Sequence, residues 1–218
     1  MSIIRESIAA IRVTLVLWVL TALIYPFFML GVGWIFPYQA NGSLMKNLAG
    51  EVVGSALIGQ SFTSERYFWS RPSTTNYSSF PSQDFNQKNP ENLVQRTGTS
   101  GASNLAPSNT QKLLKDNRQP NDPDLVKRIN ERVNQLKQAN IQPTPDLVYT
   151  SGSSLDPHIS IESARGQIER VAKARSLDYN QVKILVSKNT DNRFIGIFGE
   201  PGVNVVKLNL ALDALGRG

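Results

Sequence analysis

The chain contains no cysteine and a single histidine, His158. Without thiols there is no disulfide framework, no zinc-thiolate site and no cysteine nucleophile. One histidine among scattered carboxylates is also too few for a zinc ligand set. No G-x-x-x-x-G-K-[ST] or G-x-G-x-x-G stretch occurs, so no phosphate-cradling loop marks a nucleotide site. Charge is sparse, at 18% of the 218 residues, and it is missing altogether from Val13 through Met45.

That uncharged interval is the strongest signal present. The run VTLVLWVLTALIYPFFMLGVGWIF exceeds the roughly 20 apolar residues that cross a bilayer. It also exceeds a signal-peptide core, and the bulky Tyr38 stands where a cleavage site would need a small residue. The expectation is a retained transmembrane helix over residues 13–37, with Trp34 and Tyr38 in one interfacial belt. Pro26 falls inside it and is expected to kink it. Gly31 and Gly33 offer a smooth surface for a partner helix. Arg5 and Arg12 precede the span and only Lys46 follows closely, so the N-terminal residues 1–12 are expected inside the cytoplasm and residues 38–218 outside. The net charge of +6 suggests an anionic partner. An extracytoplasmic placement argues against nucleic acid and for lipid or an acidic protein face.

Beyond the span the pattern is mixed and shows no internal repeat. Residues 42–60 read as a short helix followed by a strand around ALIG. Residues 62–110 are rich in Ser, Thr, Asn, Pro and Gly, yet they carry Tyr67, Phe68, Trp69 and Tyr77. Such aromatics argue for a long loop ordered against a core or a partner rather than for disorder. In NDPDLVKRINERVNQLKQ, Asp122 and Pro123 open a helix whose stripe is Leu125, Val126, Ile129, Val133 and Leu136. PDLVYTS reads as extended. ISIESARGQIERVAKARS carries Ile161, Ala164, Ile168, Val171 and Ala172 at helical spacing, and DYNQVKILVSKNT forms a third helix through Val182, Leu185 and Val186. RFIGIFG reads as a strand. VNVVKLNLALDAL fits both periods, and the good helix formers at its end favour a helix. The expected fold class is α+β: one N-terminal transmembrane helix followed by one small mixed extracytoplasmic domain.

The stretch SGSSLDPHIS, residues 151–160, looks like chemistry, since Ser151, Ser153 and Ser154 stand near Asp156 and His158. A membrane-anchored extracytoplasmic hydrolase is the enzymatic alternative. A triad, however, needs a base oriented by a third group, and its members usually come from distant parts of the chain. No G-x-S-x-G elbow is present either. The segment reads better as a turn in which Ser160 caps a helix over residues 160–175 and Glu162 sits in its first turn. Pro157 fixes the backbone just before. Asp156 would accept hydrogen bonds from the turn or from His158. The imidazole would then bridge to the SGASNLAPSN loop, where Ser103, Asn104, Ser108 and Asn109 offer partners.

Six segments in order, VGSALIGQSF, YFWSRPSTTNY, SGASNLAPSN, SGSSLDPHIS, QIERVAKARSLDYNQV and GEPGVNVVKLNLAL, give the chain a family likeness from the anchor to near the C-terminus. The sequence resembles the C subunits (KdpC) of Kdp-type potassium-transporting P-type ATPases. Ala102 and Ala106 depart from family glycines, and residues 78–98 look like a surface insertion. The resemblance implies a non-catalytic subunit of a bacterial inner-membrane pump with no cofactor of its own. Its implied partners are a channel-like potassium-translocating subunit, a P-type ATP-hydrolysing subunit and a small accessory membrane subunit. ATP and potassium would be handled by the complex. The family is described as chaperone-like, raising the pump's affinity for ATP, and as a cap near the potassium entrance. On this likeness the surface meeting the pump is expected around Asp156, His158, Ser160, Ser103, Asn104, Pro107, Ser108, Asn109, Tyr67, Arg71 and Pro72, with anchor packing through Pro26, Gly31 and Gly33. Arg66, Arg71, Lys88, Arg96, Lys112, Lys115 and Arg118 are expected to face acidic partner loops rather than the cation path.

Overall fold

The computed structural model describes residues 3–79, 99–102 and 125–215. The chain forms two units, Met1–Leu44 and Met45–Gly218.

The first unit is an apolar helix running from Ile3 to Ile35, long and hydrophobic enough to cross a membrane. It begins ten residues before the uncharged run does. It comprises α1 (Ile3–Trp18), a π-helical turn (Val19–Ile24) and α2 (Tyr25–Ile35), followed after Phe36 by the short α3 (Pro37–Ala40). The π turn explains how Pro26 is accommodated. Proline lacks an N–H and clashes with the carbonyl four residues earlier. Widening the helix one residue ahead of it lets the Tyr25 N–H reach the Leu20 carbonyl instead, which is a common origin of π-bulges in long helices.

The second unit is mixed. Leu44–Lys46 (β1) and Val52–Ser55 (β2) form a hairpin. Its turn is built by Asn47, whose side chain accepts from the Ala49 and Glu51 N–H groups. That short-range Asx chemistry competes with helix formation, which is why residues 42–60 form a hairpin and not the expected helix. Then come α4 (Leu125–Gln138), α5 (Pro145–Val148), β3 (His158–Ile159), α6 (Ile161–Arg165), α7 (Ile168–Arg175), α8 (Tyr179–Lys188), β4 (Thr190–Asp191), β5 (Gly202–Asn204) and α9 (Val205–Leu215). The three short strands pair antiparallel in the order β3-β5-β4. PDLV is one helical turn rather than extended, because Pro145 at the first position is preset for a helix. The helix expected over 160–175 is broken at Gly166–Gln167. The stretch RFIGIFG is an exposed turn closed by a single bridge between Phe194 and Phe198, not a strand. The chain α+β architecture with one N-terminal span is otherwise as its sequence implies. Asp122, Pro123, Ala106 and most of the 78–98 stretch lie outside the described residues.

The core gathers Phe68, Leu136, Ile141, Leu147, Ile168, Val171, Val182, Val203, Val205, Leu208 and Leu212, all buried. Phe68 and Trp69 come from an irregular segment, residues 61–75, laid across α7 and α9. A buried segment without regular structure leaves main-chain groups unpaired unless side chains meet them. Here they do. Asn209 accepts from the Phe68 N–H (2.9 Å) and donates to the Phe68 carbonyl (3.0 Å). Gln167 accepts from the Trp69 N–H (2.7 Å) and donates to the Trp69 carbonyl (3.3 Å). Both amides are fully buried. Arg170 donates to the Glu65 and Tyr67 carbonyls, Arg175 to the Arg66 carbonyl and Arg132 to the Ser70 carbonyl. Arg132 and Arg170 also lie over the Trp69 ring, at 5.6 and 5.0 Å. Burial pushes the Arg170 pKa down to about 10.

Gln167→Met keeps the volume and removes the pairing. Each main-chain group left without a partner costs about 1–3 kcal/mol, so two orphaned groups at Trp69 should lower the domain's unfolding free energy by about 2–6 kcal/mol. Urea titration of the full chain in mild detergent measures this. A loss under about 1 kcal/mol would mean that the segment is held by its aromatic packing alone.

Candidate functional site

SGSSLDPHIS does hold a polar constellation, and its geometry differs from a triad. Asp156 sits at the turn before β3. One of its oxygens accepts from the His158 backbone N–H at 2.9 Å and lies 3.4 Å from His158 Nδ1. The other pairs with Arg71 at 3.1 Å. On the far side of the imidazole, Nε2 lies 2.9 Å from Asp191 of β4, and Asp191 pairs with Lys207 of α9 at 3.3 Å. The result is a row of alternating charge: Arg71, Asp156, His158, Asp191, Lys207.

Sheet topology builds this row. His158 lies opposite Asn204 and Asp191 opposite Gly202, with β5 between their strands. The imidazole must therefore cross the central strand to reach Asp191. Gly202 leaves it room: a Cβ there would stand 3.2 Å from the His158 Cβ. Gly59 has a comparable part beneath the turn. Its N–H donates to the Leu155 carbonyl at 2.8 Å. A Cβ at that position would collide with the Tyr77 ring and lie 3.0 Å from the Asp156 carbonyl.

The electrostatics follow the geometry. Contact with Asp156 raises the His158 pKa above 6.5, against the effect of burial, and Asp191 adds to the rise. Burial alone would raise the Asp156 pKa, but the His158 hydrogen bonds and the Arg71 charge hold it below 3.8. Asp191 is likewise held down against burial, by His158 and Lys207. Burial lifts the neighbouring Tyr77 to about 12, so its hydroxyl stays protonated and donates to the Arg71 carbonyl.

None of the nearby serine hydroxyls is hydrogen-bonded to His158. Ser154 Oγ bonds Thr74, and Ser153 Oγ accepts from the Leu155 N–H. Both ring nitrogens face carboxylates, which leaves neither aimed at a nucleophile. The arrangement gives a hydrolase no support. Among the described residues no group of three or more His, Asp or Glu could hold a metal ion.

Ser160 accepts from the Ser163 N–H at 3.1 Å and so caps α6. Its own N–H is held by Asp146 at 2.6 Å, and Asp146 also accepts from the Ser163 hydroxyl. Ser103, Asn104, Pro107, Ser108 and Asn109 lie outside the described residues, and His158 turns to Asp191 instead. The two loops still meet where they are described: Gly101 N–H and Ser100 Oγ both donate to the Ser153 carbonyl. Arg71 is taken up by Asp156 rather than left free for a partner. Pro72 follows it, partly buried. Tyr67 donates to Asp213 at 3.1 Å beneath the Arg175 guanidinium. Of the anchor residues, a Cβ on Gly31 would meet nothing within 4 Å, and one on Gly33 would touch only Ala40. Sequence reasoning missed Asp191, Lys207, Gln167 and Asn209. The last two carried a signal. Gln167 is three residues after Ala164 and four before Val171, and Asn209 four after Val205 and three before Leu212, so both amides sit on apolar stripes.

The row fixes a pH dependence. His158 is favoured as imidazolium in the folded state. Its contribution is complete below its ordinary value of 6.5 and is lost as pH rises through the elevated folded value. The Asp156 and Asp191 contributions are complete above 3.8 and lost as pH falls through their depressed values. Domain stability should therefore plateau between those limits and decline above 6.5. His158→Gln should flatten the alkaline decline and also shrink the acid one, since His158 helps to hold both carboxyls down, as read by thermal melts from pH 2 to 9. An unchanged alkaline slope in the variant would assign the decline to other groups.

The family model described as "K+-transporting ATPase, c chain" (KdpC) matches residues 7–116 and 110–214. The potassium-transporting ATPase KdpC subunit of Microcystis aeruginosa is 62% identical over 216 residues, covering 99% of this chain and 98% of that one. A Nostoc KdpC subunit is 58% identical over 218 residues, again covering 99% and 98%. The Synechocystis subunit is 52% identical over 211 residues, covering 96% and 98%. With a model and full-length relatives in agreement, the chain belongs to the KdpC family, the C subunits of the potassium-transporting ATPase.

Proposed function

We propose that this chain is a non-catalytic assembly and regulatory subunit that raises the affinity of an ATP-driven potassium uptake pump. Its N-terminus lies in the cytoplasm and its folded domain outside the cell's inner membrane. The partners are a channel-like potassium-translocating subunit, a P-type subunit that hydrolyses ATP, and a small accessory membrane subunit. The observation that carries this reading is where the polar groups of the candidate site are spent. Arg71, Asp156, His158, Asp191 and Lys207 pair with one another, and they hold loop, sheet and helix in one arrangement. That is the economy of a scaffold which presents a surface. A domain outside the membrane has no ATP to bind, so an effect on ATP affinity is a coupling transmitted through subunit contacts. Acidic or neutral surface faces the potassium entrance, since a basic cap would repel the cation.

Potassium-dependent ATPase activity of the complex, assayed with and without this subunit while ATP and potassium are varied separately, tests the regulatory part. Deletion should raise the half-saturating concentration of at least one of the two. Unchanged kinetics in a complex that still assembles would remove the regulatory role. A reporter active only outside the cytoplasm, fused after Gly218, should be active; activity of a cytoplasm-only reporter there would reverse the topology.

The anchor supplies a second test. Gly31→Leu has open space in this chain and raises the helix's hydrophobicity. Insertion should persist while copurification of the larger pump subunits falls, because the bulkier side chain blocks close helix approach. Full retention of partners would remove Gly31 from the contact.

A further inference from the structure

Between β4 and β5 the chain runs out into a turn, Phe194–Phe198, of sequence FIGIF. Phe194, Ile195, Ile197 and Phe198 are 71%, 72%, 70% and 64% exposed. Among the described residues outside the apolar helix, no other five in a row carry four such side chains. Exposed apolar patches of this kind mark contact surfaces. The turn is also firmly built. Arg193 and Glu200 pair across its neck at 2.9 Å. The Phe194 and Phe198 N–H groups donate to each other's carbonyls, the Gly196 N–H donates to Arg193 and the Ile197 N–H to Phe194. Ile195 is held at φ 54, a left-handed conformation that β-branched residues rarely adopt.

We propose that this tip is a second membrane contact, inserting its four apolar side chains into the acyl boundary of the bilayer. Three observations favour lipid over a protein groove. The tip offers no side-chain donor, acceptor or charge, whereas protein interfaces are specified by hydrogen bonds around their apolar centre. Four of its five backbone N–H groups are satisfied within the turn, which lowers the cost of taking it out of water. The charges are confined to the neck, and Phe with aliphatic residues is the kind of apolar face that beds into the headgroup–acyl boundary. The bilayer is also always at hand. The apolar helix ends at Ile35, and residues 36–43 connect it to β1. That link spans at most about 30 Å fully extended. Tethering of this sort gives a weak interfacial contact a high effective concentration.

The absence of native cysteine allows a single label. Ile197→Cys carrying an environment-sensitive nitrobenzoxadiazole dye is placed in the full chain, in phosphatidylcholine–phosphatidylglycerol vesicles, alone and with the other pump subunits. Ile24→Cys in the apolar helix serves as the quenched control and Glu169→Cys on the exposed face of α7 as the unquenched one. Expected are a blue-shifted emission at residue 197 and loss of most of it when doxyl-labelled lipids are included, in both preparations. Adding Ile195→Asn should abolish that quenching and leave the fold intact, because asparagine tolerates the left-handed conformation better than isoleucine. A dye at residue 197 that behaves like the one at 169 in both preparations overturns the proposal. So does a blue shift without lipid quenching that arises only when the other subunits are present, since the tip then seats on protein.

Discussion

A buried stretch of main chain without regular structure must be given its hydrogen bonds by side chains, and the rest of this domain is arranged around that need. Residues 61–75 carry Phe68 and Trp69 into the core but form neither helix nor strand. Gln167 and Asn209 stand in for the missing neighbouring strand, each bonding both the donor and the acceptor of one residue. For Gln167 to do so, the helix expected over 160–175 has to open at Gly166–Gln167 and restart as α7. Asn209 has to occupy a core-facing position of α9, where a leucine would otherwise serve. Buried amides cost more than apolar residues unless fully paired. Their use here trades some hydrophobic burial for a single placement of the segment.

The guanidinium groups extend the same logic outward. Arg175 has a side chain only 4% exposed and bonds the Arg66 and Leu212 carbonyls as well as Asp213. Arg170 and Arg132 donate to main-chain carbonyls while their guanidinium carbons lie over the Trp69 ring. Arginine suits this work because its fixed fork serves several acceptors and its face tolerates an aromatic ring. Three of the basic side chains behind the net charge of +6 are thus structural. Net charge alone is a poor guide to partners when guanidinium groups are used as main-chain clamps.

Legibility followed the range of the interactions. The apolar helix, α4 and α8 announce themselves through local periodicity, and α8 carries its own capping box in Asp178 and Gln181. The mixed class was readable from the alternation of patterns. The hairpin of β1 and β2 was missed because Asn47 decides it through a turn that composition does not display. RFIGIFG was read as a strand because its residues favour strands. The period-2 rule assumes that an apolar face finds a core, and here it finds none within the domain. His158 was correctly set beside Asp156, two residues away. Its other partner, Asp191, is 33 residues on and reaches it only because Gly202 clears the strand between them, a relation set by register rather than by spacing.

The strand that carries Asp191 of the charged row, β4, and the strand whose Gly202 lets His158 reach it, β5, hold the apolar turn between them, and this gives the sheet its purpose. A sheet of two- and three-residue strands contributes few ladder bonds and would fray if it stood alone. It is braced instead at successive levels. Val203 is buried at its root, with the Asn204 amide bonded to Ala56. His158 and Lys207 grip Asp191 at mid-height. Arg193 and Glu200 close the neck. Each level is separately modest, since partly exposed ion pairs contribute little by themselves. Stacked along one hairpin, they restrict the same two dihedral-rich segments, so that ordering one reduces the entropy still to be lost by the next. An apolar turn presented on a loose arm would fold back onto the domain's own surface. One held at the end of a braced arm stays exposed until something outside the domain covers it.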